Sequence, residues 1–113
     1  MPGKGLTIAT ACSIGEKLPD VEAGTSWGGS ALKVKGKLLA CQAMHKSAEP
    51  NSLMVRISLE RRAELLEATP ETYYLKDHYA RYPAVLVRLS RTTRKELLEL
   101  LTESWEYVVE GGK

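Results

Sequence analysis

Ala31-Leu32-Lys33-Val34-Lys35-Gly36-Lys37 reads as one strand, a turn and the start of a return strand. Leu32 and Val34 alternate with Lys33 and Lys35, the period of two that marks a half-buried strand. Lys35-Gly36 reads as a tight hairpin turn, because glycine takes a positive φ at little steric cost. The return strand is expected over residues 37–44. A hairpin this short joins neighbours in an antiparallel sheet.

Downstream, the polar loop from His45 to Asn51 leads to a third strand over residues 53–57, with Leu53, Val55 and Ile57 on one side and Met54 and Arg56 on the other. Ser58 can cap a helix over residues 59–68 whose apolar face is Leu59, Ala63 and Leu66. Thr69-Pro70 stops it, since the residue before proline disfavours the helical region. Tyr73-Tyr74-Leu75 and residues 84–89 are two further strand candidates, rich in aromatic and branched side chains. Thr93-Arg94-Lys95-Glu96 is a capping box that opens the last helix, with Leu97, Leu101, Trp105 and Val108 as its stripe and Gly111-Gly112 as its end. Upstream, Leu6, Ala9, Ile14 and Leu18 allow a first helix over residues 6–18, ended by Pro19-Asp20, and residues 22–30 read as turn-like.

The order α-β-β-β-α-β-β-α, without regular strand–helix alternation, predicts an α+β two-layer sandwich: an antiparallel sheet of about five strands with three helices. If the helices cover one face, strand alternation predicts that the other carries Lys33, Lys35, Lys37, Arg56 and Arg88 near Met54 and Leu86.

The chain has 113 residues, enough for one core, so residues 1–113 are read as a single domain with flexible ends at 1–5 and 110–113. A 43% hydrophobic and 27% charged composition argues against disordered and fibrous classes. No apolar run approaches the roughly 20 residues of a membrane span, and cytoplasmic residence is expected. Cys12 and Cys41 are expected to be free thiols. The net charge of +2 means that any basic surface arises from arrangement.

Among candidate sites, the densest is Asp77-His78-Tyr79-Ala80-Arg81-Tyr82-Pro83. Histidine titrates near neutrality and tyrosine offers a hydroxyl, so His78, Tyr79 and Tyr82, with Trp27, form a candidate small-ligand pocket. The structural alternative is a corner in which His78 and a tyrosine hydroxyl hydrogen-bond the backbone of residues 79–83. Asp77 and His78 are neighbours, so in an extended segment they point apart and make no catalytic pair. No serine or cysteine has a nucleophile signature. Cys41 and His45 are one loose pair of potential metal ligands where zinc sites show two tight pairs, so neither metal nor cofactor is expected. Gly24, Gly28 and Gly29 precede a strand and match no phosphate loop. Lys33, Lys35 and Lys37 flank one hairpin, which can act as a wing whose ammonium groups meet phosphates. Arg91, Arg94 and Lys95 gather at the start of the last helix, against its dipole.

Glu22, Thr25-Ser26-Trp27-Gly28, the run from Ala31 to Lys37, the run from Tyr73 to Tyr79, Tyr82-Pro83 and the run from Val85 to Leu89 together resemble the MmcQ/YjbR family, in matching order over about residues 8–109. The resemblance implies a two-layer α+β fold likened to type III secretion chaperones, and a DNA-binding role proposed for a double-wing arrangement of hairpins. The expectation is a non-enzymatic module contacting nucleic acid mainly through phosphates at Lys33, Lys35, Lys37, Arg56 and Arg88. The alternatives are a protein or peptide interaction module, monomeric or homodimeric, and a small-ligand domain.

Overall fold

Thr7 opens the first helix by accepting a hydrogen bond from the Thr10 amide at 3.2 Å, and α1 (Ile8–Gly15) follows. The structure, a computed structural model, describes residues 5–26 and 28–111. The expectation of flexible ends falls largely on residues outside that description. Asp20, at φ 63°, turns the chain into β1 (Val21–Ser26), which is followed by β2 (Gly29–Val34), β3 (Lys37–Gln42) and β4 (Ser52–Arg56). Then come α2 (Leu59–Ala68), β5 (Tyr73–Tyr74), α3 (Asp77–Ala80), β6 (Ala84–Arg88), a 3-10 turn at Leu89–Arg91, and α4 (Arg94–Val109).

The β2–β3 hairpin forms as its sequence predicts, with Lys35 and Gly36 both at positive φ, 53° and 82°. Val34 therefore sits opposite Lys37 and Lys33 opposite Leu38, and the register slips by one beyond them, leaving Leu39 as a bulge between Leu38 and Ala40. Ser104 of α4 donates to the Leu39 carbonyl at 3.3 Å. Among the described residues the strands form one antiparallel six-stranded sheet in the order β1-β2-β3-β4-β6-β5.

The main core lies between one face of this sheet and α1, α2 and α4, where Leu32, Leu39, Leu53, Val55, Val85 and Val87 meet Ile14, Leu65, Leu97, Leu101 and Val108. Each such side chain contributes about 1.5–3 kcal/mol of transfer free energy. A smaller cluster closes the middle of the other face: Ala31, Cys41, Met54, Leu86 and Tyr74 lie beneath Tyr79 of α3, with Ala43 and Ala48 of the β3–β4 loop alongside.

The two-layer α+β class and its antiparallel sheet stand as expected, and α2 has the expected bounds, with Ser58 accepting from the Arg61 amide. Several details differ. Residues 21–26, expected to be turn-like for the most part, are a strand: β1 pairs along its whole length with β2, although Glu22, Ala23, Gly24 and Thr25 are exposed and so lack alternation. Asp77 and His78, read as extended, and the start of the loop after them form the helical turn α3, on the face opposite the other helices. The sheet thus has six strands and the described chain four helices, against five and three expected. On α2 the buried residue is Leu65, while Leu59 is 56% exposed, so the helix is rotated from the predicted Leu59–Ala63–Leu66 face.

Candidate functional site

Two tyrosines and two histidines hold the β3–β4 loop against α3. The His78 ring stacks on that of His45, with centroids 3.7 Å apart and planes 10° from parallel. Tyr79 is buried with its ring edge-on to both imidazoles, and its hydroxyl accepts from the His45 amide at 3.1 Å. Tyr74 acts in parallel, its hydroxyl accepting from the Glu49 amide at 2.8 Å and bonding Ser52 Oγ at 2.6 Å. The tyrosine hydroxyls of this region thus bond the backbone of residues 45 and 49, and not that of residues 79–83 as the corner reading had it. Partial desolvation, then His78 and Lys46, hold the His45 imidazole below its ordinary range, and burial raises the Tyr79 phenol.

The five expected cations do not share one open face. Arg88 is held in the structure: Nε and Nη2 donate to the two Glu49 oxygens at 2.8 Å each, and Nη1 reaches the Pro70 and Glu71 carbonyls at 3.0 and 3.3 Å. Its guanidinium also lies 4.3 Å from the Tyr74 ring centroid. Cross-strand partners share a face. Lys37, opposite Val34, therefore leaves the sheet on the helix side, whereas Lys33, opposite Leu38, leaves on the other. Lys35, in the turn, lies 4.0 Å from an Asp20 oxygen. Arg56 ends β4 with its guanidinium carbon 5.7 Å from the Tyr107 ring centroid. The predicted grouping fails because a two-residue turn places residues 33 and 37 on opposite sides, and because α3 and the loop cover Met54 and Leu86.

What remains open is one end of that second face. Leu38, Met54, Arg56, Tyr82, Pro83 and Ala84 line a mostly apolar cleft of about 200 Å³, with Tyr82 40% exposed at its rim. A second groove, about 380 Å³, adjoins it through the Lys33–Leu38 pair and is lined by Asp20, Glu22, Ala23, Gly24, Lys33, Lys35 and Gly36. Arg62, which the sequence reading passed over, fixes this end: its Nη1 donates to the carbonyls of Ala80, Tyr82 and Ala84 at 3.2, 2.8 and 3.2 Å. Nothing in the sequence of α2 shows that an arginine there faces three backbone carbonyls.

Of the expected pocket residues, Tyr82 lines the cleft, while His78 and Tyr79 belong to the contact with the β3–β4 loop. Trp27 lies outside the described residues. Burial pushes the Cys41 thiol up to about 11 and also raises that of Cys12, so both are protonated at neutral pH. Among the described residues no cluster of three or more His, Cys, Asp or Glu could hold a metal ion, and no helix is long and apolar enough to cross a membrane. Arg94 and Lys95 line a separate cleft with Lys17, Ile14 and Leu98.

The YjbR family model matches residues 16–107. Uncharacterized protein Rv2570 of Mycobacterium tuberculosis and Uncharacterized protein Mb2600 of Mycobacterium bovis are each 42% identical over 52 residues, covering 45% of this chain and 40% of the relative. The chain's match thus spans well under half the length of these curated relatives. Deinococcus radiodurans protein DR2400, whose crystal structure contains the domain family DUF419, aligns with a TM-score of 0.75 at 23% identity, covering 100% of this chain and 84% of that one. At that identity the likeness shows a shared fold.

Proposed function

The chain belongs to the YjbR family, and from that membership and the open end of the sheet we propose that it is a non-enzymatic nucleic-acid-binding module. The observation that carries this reading is the open end of the sheet: Lys33 pairs with Leu38 across β2 and β3, and Leu38, Arg56 and Tyr82 line one cleft beside it. Cations at Lys33, Lys35 and Arg56 attract phosphates, while an exposed aromatic ring offers a stacking surface. Asp20 and Glu22 on the far wall of the groove limit the affinity. Lys37 leaves from the other face and Arg88 is held by Glu49, so neither belongs to this surface.

About three phosphate contacts give a slope of log K against log salt of roughly −2 to −3. Fluorescence anisotropy with short oligonucleotides, from low to physiological salt, should return that slope. The double variant Lys33→Glu with Lys35→Glu should abolish binding. Absence of binding at low salt, or affinity unchanged in the double variant, removes the proposal.

A second reading rests on a separate observation. β1 is the outer strand at one edge of the sheet, and its six residues carry no lysine, arginine or proline to discourage strand addition. A peptide or a second copy of the chain pairing along that edge would make the domain a protein-interaction module.

A further inference from the structure

We propose that the cleft between Leu38 and Tyr82 takes one unstacked nucleobase, which makes single-stranded nucleic acid the substrate class of this surface. The inference rests on the nucleic-acid reading above and specifies what that reading leaves open. At about 200 Å³, the cleft falls below the roughly 300–1,000 Å³ of sites that hold drug-sized ligands. Its size suits a single ring system. Met54, Ala84 and Pro83 supply apolar walls, and Tyr82 lines the cleft with its side chain exposed. The occupant's charge follows from the flanks. Arg56 forms part of the wall, and Lys33 stands beside Leu38, two strand spacings or about 10 Å from β4. An apolar slot between two cations matches a planar ring carried on an anionic backbone, with phosphates on either side of the base.

A duplex cannot satisfy this arrangement, because its bases are paired and stacked and reach a protein only by their groove edges or by flipping out. Arg62 gives the slot its fixed shape by tying the Ala80, Tyr82 and Ala84 carbonyls to α2. The ring of Tyr82 is thereby carried on a constrained turn.

The test compares three probes at low salt: a short oligothymidine, a duplex of equal length, and an oligothymidine with abasic sites, which keeps the phosphates and lacks the rings. The inference expects the oligothymidine to bind more tightly than the duplex, and the abasic strand to lose about tenfold in affinity. Tyr82→Ala should cost a similar factor toward the oligothymidine and nothing further toward the abasic strand, while Tyr82→Phe restores binding. Unchanged circular dichroism of Tyr82→Ala checks that the exposed position leaves the fold intact. Equal binding of duplex and single strand, or of abasic and complete strand, overturns the nucleobase slot while leaving the phosphate reading standing. No binding of any of the three probes overturns both.

Discussion

At the scale of single residues, the basic side chains divide by what faces them. Arg88 occupies a half-buried strand position next to Tyr74 and is satisfied by one carboxylate and two carbonyls, so its charge works inward. Its hydrogen bonds hold the Glu49 carboxyl below the usual carboxylate range. A lowered carboxyl stabilises the fold above its unfolded pKa, and this stability is lost as pH falls through the folded value. The His45 imidazole acts in a higher window. His45 is held below its ordinary value of about 6.5, so the folded state favours the neutral ring and its stabilising effect is complete above that value. Below it, the unfolded chain binds the proton first, and stability declines. Protonating His45 also places its charge against His78 across the 3.7 Å stack and near Lys46. Urea midpoints should therefore fall between about pH 7.5 and about pH 5.5, and His78→Ala should show a smaller fall. Equal falls in both proteins would show that the stack is not the cause.

Among the elements, α2 shows how far periodicity reaches. Its bounds and its Ser58 cap are local properties and follow from the sequence, whereas the face it buries depends on where β5 and β6 stand. Leu65 packs in the core at 7% exposure and Leu59 projects at 56%. Leu65→Ala should therefore cost about 2–4 kcal/mol, and Leu59→Ala less than about 0.5 kcal/mol, by denaturant unfolding. The capping box of α4 is likewise local, with Thr93 and Glu96 bonding each other's backbone amides at 3.2 Å. Two elements escaped the sequence reading for opposite reasons. α3 has four residues, too few for a helical period to register, and is held by Tyr79 beneath the stacked histidines. β1 has a strand's length but exposes four successive residues, so no alternation marks it, and only its pairing with β2 defines it.

At the scale of the whole molecule, the sheet's two edges are unlike. β5 is two residues long, and Arg88 engages the carbonyls of Pro70 and Glu71 just before it. Among the described residues β1, six residues long, has no strand paired on its outer side. If strand addition operates there, light scattering should find a dimer, or a pull-down from nuclease-treated lysate should retain a partner. Ala23→Lys, which places a charge on an exposed position of the edge, should abolish either assembly without lowering stability. A monomer with no retained partner would remove the second reading. The hairpin, the caps, the antiparallel α+β class and the family resemblance are legible in the chain alone, because turn chemistry, capping and alternation act within a few residues of each other. The surface is set by the way the chain packs. Whether Lys33 and Lys37 share a face, whether Arg88 is open, and whether Tyr82 joins His78 depend on register, on the bulge at Leu39, and on α3 closing over Met54 and Leu86. Those relations join residues distant in the chain, and no local pattern encodes them.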